Sequence, residues 1–344
     1  MATSLSTTSS NSTSVPQVAP FARKRARPGD VIFHAAVLGA VVIAVASLVW
    51  VMFAIVRAGV PLINWDFLAV KNGSRPTTAG FTSALRGSLV VLLITMLVAL
   101  PIGFAAAIYL EKFAVARQYA SLRRAAVLRE RLAHTGGFAA LLLRVRIMWA
   151  VALGPINRFI DVNISNLAAV PSIIYGLLGL ALFITFAGLS GSLLSGGLTL
   201  GLLVLPIVII SSREALKAVP PTIEQGALAL GSTPWQAIRG QVVPAAIPGM
   251  LTGAILAMSR AIGESAPLIV VGGVVFSTHI PSVNPLNAGS ESLLAMPLQI
   301  FFWAGRPQQS FQDLAAAGIV VLMVVLLLMN SVAIFLRNRY SKRW

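Results

Sequence analysis

Between Met250 and Val271 the chain is apolar or small at almost every position, yet it carries Arg260 and Glu264. Residues four apart on a helix share one face, with about 6 Å between them. Charge near the centre of a bilayer is expensive and normally faces a bundle interior or a water-filled route. Two roles fit this pair. It could be a structural ion pair that locks helices together. It could instead line a solute route, because a guanidinium fork matches the oxygens of an oxyanion. The carboxylate would then hold the arginine between turnovers and accept a proton from a monohydrogen anion. Ser259, Ser265 and Tyr175 are weaker candidates, since a hydroxyl in a span is commonly taken up by backbone.

Other chemistries find no residues to perform them. The absence of cysteine removes disulfides, thiolate metal sites and cysteine nucleophiles. His34, His134 and His279 are too far apart in sequence for metal-ligand spacing. No phosphate-cradling P-loop, Gly-x-Ser-x-Gly elbow, HExxH helix or dinucleotide fingerprint occurs. The chain is therefore expected not to be an enzyme and to hold no cofactor. An energised transport role would need ATP hydrolysis, with its magnesium, on another chain.

The elements that position the pair are membrane spans. Hydrophobic residues make up 57% of the chain and charged residues 10%, against about 25% charged in a soluble domain. One core cannot hide that much apolar surface, so the expected fold is an all-α integral membrane protein. Residues 1–30 read as a disordered, Ser/Thr-rich tail that ends in a basic flank of Arg23, Lys24, Arg25 and Arg27. Spans are expected over about 31–57, 85–110, 164–186, 196–212, 244–272 and 314–336, the first with some 25 residues, enough for roughly 30 Å of hydrocarbon. The first is too long and too far from the start for a cleaved signal and reads as a retained anchor, followed by an external loop to residue 81. Pro101 should bend the second span and Pro171-Ser172 interrupt the third. A short apolar helix is expected at 292–305, within an external segment.

The basic insert 113–158 is the hardest stretch, because its residues 136–154 resemble a span. Arg144 and Arg146 at the centre of a span would together cost about 5–7 kcal/mol, whereas its eight Leu, Ile, Val and Phe residues return about 2.5–5 kcal/mol. A basic helix on the inner membrane surface fits better, and anionic lipid is its natural partner. With six spans and both termini inside, twenty of the 26 Lys and Arg residues fall on inside segments and five outside, leaving Arg260. A seventh span would put the basic tail 337–344 outside, against the positive-inside rule. The net charge of +16 is thus explained by topology, without nucleic acid.

Between the fourth and fifth spans lies a polar loop, 217–243, far longer than the two to eight residues that usually join bundle helices. Pro220-Pro221 can open one helix and Thr233-Pro234 a second, as an N-cap followed by proline at N1. Gly231 between them supplies a turn position suited to positive φ. Small residues at Gly226, Ala227 and Ala229 would let a partner surface approach closely. The bland alternative is a simple connector.

This loop resembles the EAA signature of bacterial ABC importer permeases. Gln225, Gly226 and Ala227 hold the E-A-A positions, Gly231 the glycine, and Gln241 to Pro244 the closing I-x-L-P. Gln225 replaces the usual glutamate, with Glu224 just before it, and Gln241 replaces the isoleucine. The stretches 166–180, 296–304 and 336–344, and GESAPL at 263–268, are similar to the phosphate permeases of the PstA type. That similarity covers about 82–344 apart from the insert. It implies a type I ABC importer permease fold over 82–336 and a location in the bacterial plasma (inner) membrane. The 217–243 loop would be a coupling helix seated on an ATP-hydrolysing subunit. The implied partners are a sister permease forming a heterodimer, two ATPase subunits and an external phosphate-binding protein. Alternatives are a permease for molybdate or sulfate, and a secondary transporter or channel. Inverted repeats with paired broken helices would mark a secondary transporter, and none is found.

Overall fold

The computed structural model describes residues 28–70, 73, 75–114, 148, 159–272 and 280–340. The N-terminal tail with its basic flank, nearly all of the insert 113–158, and Lys342 and Arg343 lie outside the described residues. Two units are distinguished, Met1–Phe53 and Ala54–Trp344.

Helix α1 spans Pro28–Gly59. Of its described residues up to Phe53, none is buried. A helix that is apolar on all sides and lacks a core of its own suits lipid, which agrees with the expected first span.

In the second unit, α2 is Trp65–Ala69 and α3 is Thr82–Ile108, the latter running on as a π-turn, Tyr109–Ala114. Helix α4 is Phe159–Ala168 and α5 is Ser172–Gly179, continued by a π segment, Leu180–Phe186. Next come α6, Leu193–Lys217, then α7, Pro221–Ala229, and α8, Pro234–Ala237. A π-turn, Ile238–Val242, joins α8 to α9, Val243–Gly263, and α10 is Ala266–Val270. The chain closes with α11, Met296–Ala304, and α12, Gln309–Tyr340. The described residues contain no β-strand, and one isolated antiparallel bridge pairs Ser192 with Ser292. Five helices are long and apolar enough to cross a membrane, and the bent pair α4–α5 makes a possible sixth.

Two expected spans are corrected. The third, expected over 164–186 with an interruption, is already helical at Phe159, the first described residue there, and turns through 103° between α4 and α5. The residue before a proline disfavours helical backbone, so Val170-Pro171 ends α4, and the Tyr175 hydroxyl closes the corner by donating to the Leu167 carbonyl at 2.7 Å. The fifth, expected as one span over 244–272, stops at Gly263 and restarts at Ala266.

Helix α6 is the most buried of the candidate spans and the axis of the unit. Its small residues let neighbours close in, as at Gly197, where a Cβ would fall 2.7 Å from Ile94 Cβ on α3. Thr95 strengthens this seam by donating to the Gly197 carbonyl at 3.0 Å. Ser192 and Ser195 form a capping box that fixes where α6 begins. The expected short apolar helix is α11. It is buried against α3 and α12, with the Met296 amide donating to Ser88 Oγ at 2.7 Å. Beside it, Phe67, Phe81 and Trp303 form an aromatic cluster, the two phenylalanine rings stacked with centroids 5.4 Å apart.

Candidate functional site

The polar loop folds as its residue types require. Helix α7 starts behind Pro220 with Pro221 at its first position and carries Glu224, Gln225, Gly226 and Ala227. Gly231 follows at φ +89°, the left-handed conformation expected of it. Thr233 then caps α8: its hydroxyl oxygen accepts from the Gln236 amide, and the Gln236 side chain accepts from the Thr233 amide at 2.8 Å. From Pro234 the backbone stays helical through the π-turn and α9 to Gly263. The second loop helix and the fifth span are therefore one continuous piece, and Pro244, which has no N–H to donate to a preceding carbonyl, falls just past the π-turn.

The outer surface of this loop carries large apolar side chains among exposed polar ones such as Gln225 and Gln236. Leu228 is 41% exposed, Leu230 91% and Trp235 53%. Burial of Leu230 within its own chain is essentially nil, so its apolar surface is available to a partner. Sequence patterning pointed to the small residues here and passed over these three. The available signal was large apolar side chains in a loop otherwise rich in polar residues.

The underside of the loop is pinned to the rest of the chain. Lys112 Nζ lies 2.7 Å from Glu224 Oε2, and Phe113 packs on Trp235 with ring centroids 6.0 Å apart. Next to Lys112, Glu111 accepts from Arg213 Nε at 3.3 Å, and Arg213 Nη1 donates to Asp161 at 2.7 Å. Arg213 thus joins the end of α3, the start of α4 and the last turns of α6. Beneath these pairs, Ala107, Leu216, Val242, Ala246 and Met250 form a buried apolar cluster. Glu224 was expected in the loop as a coupling residue, but the sequence paired none of these ionic groups with one another. Its one usable signal was that Glu111, Asp161 and Arg213 all stand near the predicted inner ends of spans.

At the opposite end of α9, Arg260 Nε meets Glu264 Oε1 at 3.3 Å. The i,i+4 pairing expected of them is present. Their setting is different from the one expected, which placed both deep inside one helix. Arg260 occupies the last turn of α9, and Glu264 is its C-cap, with extended backbone at φ −82° and ψ 117°. A cation suits the partially negative end of a helix and a carboxylate does not, so Arg260 offsets the charge that Glu264 brings there. The Arg260 side chain is 47% exposed and that of Glu264 19%, so the guanidinium is directed away from this chain's own core. Leu256 and Gly263 are exposed with it on the same side of α9.

The weaker candidates have structural partners. Besides Tyr175, which closes the α4–α5 corner, Ser259 Oγ is shared between the Ile255 carbonyl at 2.8 Å and the Asn330 side chain at 2.5 Å, tying α9 to α12. Ser265 lies in the break between α9 and α10. Among the described residues no group of three or more His, Cys, Asp or Glu is placed to hold a metal ion. The arrangement is thus a loop with three exposed large apolar side chains, a continuous helix of 30 residues from Pro234 to Gly263, and a charged pair at the far end of that helix.

The family model for binding-protein-dependent transport system inner membrane components matches residues 136–344, which include the loop and the Arg260–Glu264 pair. The chain is 25% identical to the probable ABC transporter permease protein YqgI of Bacillus subtilis, over 87% of this chain and 91% of that one. It is 25% identical to the phosphate transport system permease protein PstA 2 of Mycobacterium bovis, over 97% of each. It is 30% identical to the phosphate transport system permease protein PstA 1 of Mycobacterium tuberculosis, over 62% of this chain and 69% of that one.

Proposed function

We infer the function from one premise: the chain belongs to the family of binding-protein-dependent transport system inner membrane components. It is the membrane-spanning permease subunit of an ATP-driven importer of inorganic phosphate. The observation that carries this reading is the unbroken helix joining the exposed 217–243 loop to the Arg260–Glu264 pair. Phosphate as the cargo is supported by relatives named for phosphate transport that align over nearly the whole chain.

In this reading Leu228, Leu230 and Trp235 dock in an apolar depression of a partner ATPase, beside Glu224, Gln225, Gly226, Ala227 and Gly231. Nucleotide and magnesium sit on that partner, of which the assembly holds two copies. Closure of the ATPases pushes on α7 and α8, and the push travels through Pro244 and α9 to the charged pair. Arg260, exposed on this chain, faces a route shared with a sister permease. Its guanidinium meets the anion's oxygens there, and Glu264 takes over the guanidinium when the anion leaves. An external binding protein delivers the phosphate. The N- and C-termini lie on the cytoplasmic side of the bacterial plasma membrane, where the basic segments favour them, and the basic charge of the insert 113–158 suits anionic lipid.

A second reading differs only in cargo, because a guanidinium fork also matches molybdate and sulfate. Co-purification of an ATPase followed by vanadate-sensitive uptake of labelled phosphate into liposomes tests both. Competition by unlabelled phosphate, with molybdate and sulfate inert, is the expected result. Competition by either of those ions at equal concentration would transfer the assignment to it, and uptake without ATP would end the reading.

A further inference from the structure

We propose that the π-turn Tyr109–Ala114 is a second attachment point of the coupling loop, with Lys112 and Glu111 acting as positioning residues that deliver the loop's displacement to α3 and α6 as well as to α9. The proposal rests on the functional reading above and adds the path by which force enters the other helices.

Four observations converge on this one turn. Lys112 holds Glu224 of α7 at 2.7 Å, and Phe113 meets Trp235 of α8, so both loop helices are tied to consecutive residues of the turn. Glu111, on the other side of Lys112, holds Arg213 of α6, which also holds Asp161 of α4. The Lys112 and Glu224 side chains are only 17% and 29% exposed, so water screens them less than a surface pair. Below them the apolar cluster of Ala107, Leu216, Val242, Ala246 and Met250 fills the space between α3, α6 and α9. Close packing transmits displacement because it yields little under strain. A π-turn widens the helix by one residue per turn, and such turns recur at functional positions. Here it lets adjacent residues reach elements on different sides. Glu224 is thereby engaged within its own chain, which leaves the exposed Leu228, Leu230 and Trp235 to meet the ATPase.

The test measures ions moved per ATP hydrolysed, using the full assembly in liposomes. A change that merely weakens folding lowers uptake and hydrolysis together and leaves the ratio alone, whereas loss of a transmitting contact lowers the ratio. Lys112→Glu is expected to lower it about fivefold, Lys112→Arg to keep it, and the swap Lys112→Glu with Glu224→Lys to recover most of it. An unchanged ratio in Lys112→Glu, or no recovery in the swap, overturns the proposal. If the wild-type assembly carries molybdate or sulfate instead, the cargo reading fails and the ratio is taken with that ion. A second arm needs no transport at all. The chain has no cysteine, so Lys112→Cys with Glu224→Cys, treated in membranes with a short bifunctional maleimide, reports the contact directly. Cross-linking is expected, and its absence overturns the proposal.

Discussion

Arg260 and Glu264 pair across the point where α9 ends, Nε to Oε1 at 3.3 Å, with the carboxylate standing as the helix's own C-cap. The pair therefore sits at a backbone break, and the guanidinium is the more exposed of the two groups. An anion approaching from outside this chain would meet the arginine first.

Replacing Arg260 by Gln removes the fork and keeps the bulk. Uptake of labelled phosphate is expected to fall about tenfold or more, the scale of losing a hydrogen bond from a charged group to the anion, with membrane insertion and co-purification of the ATPase unchanged. Wild-type uptake would remove Arg260 from the transport route. Glu264→Gln is expected to lower uptake as well, by leaving Arg260 without its partner.

Leu230 is 91% exposed at the tip of the loop. Leu230→Asp is expected to cost this chain less than about 0.5 kcal/mol of stability, as for other surface changes. It should nevertheless abolish ATPase co-purification. A pull-down and a thermal melt of the isolated permease read the two effects separately. Retained co-purification at wild-type yield would place the docking surface elsewhere.

Gly231 has φ +89°, and a Cβ there would meet nothing within 4 Å. Backbone strain is thus the whole cost of substitution, about 1–2 kcal/mol for an ordinary residue in left-handed backbone. Gly231→Val should therefore weaken ATPase binding more than Gly231→Asn, since asparagine tolerates that conformation. Equal affinities for the two variants, measured by titrating the ATPase against reconstituted permease, would show that the turn does not set the docking geometry.

Trp303 packs against both Phe67 and Phe81 and is 1% exposed. Trp303→Ala is expected to destabilise the second unit by about 3–5 kcal/mol, the usual cost of emptying an aromatic core site. The measurement is the melting temperature in detergent, and an unchanged value would contradict the packing described.

Local chemistry in the sequence was enough to read the loop. Pro220-Pro221, Gly231 and Thr233-Pro234 each dictate a backbone state by themselves, and all three took the expected conformation. Hydropathy was enough for the long spans, since twenty apolar residues in a row have few destinations other than lipid. The break at Glu264 was harder, because the apolar run continues through it unchanged. Only Gly263 before it and Pro267 after it hint that the helix stops. The ties among Glu111, Lys112, Asp161, Arg213 and Glu224 were beyond reach, since partners 52 to 112 positions apart leave no periodic trace.

The 30 helical residues from Pro234 to Gly263 make a rod of about 45 Å. If such a rod pivots near one end by only five degrees or so, its other end sweeps about 4 Å. Modest rearrangement at the motor is thereby geared up to a step large enough to pass cargo, and stiffness of this one helix, more than the size of the stroke, becomes the quantity that evolution would tune.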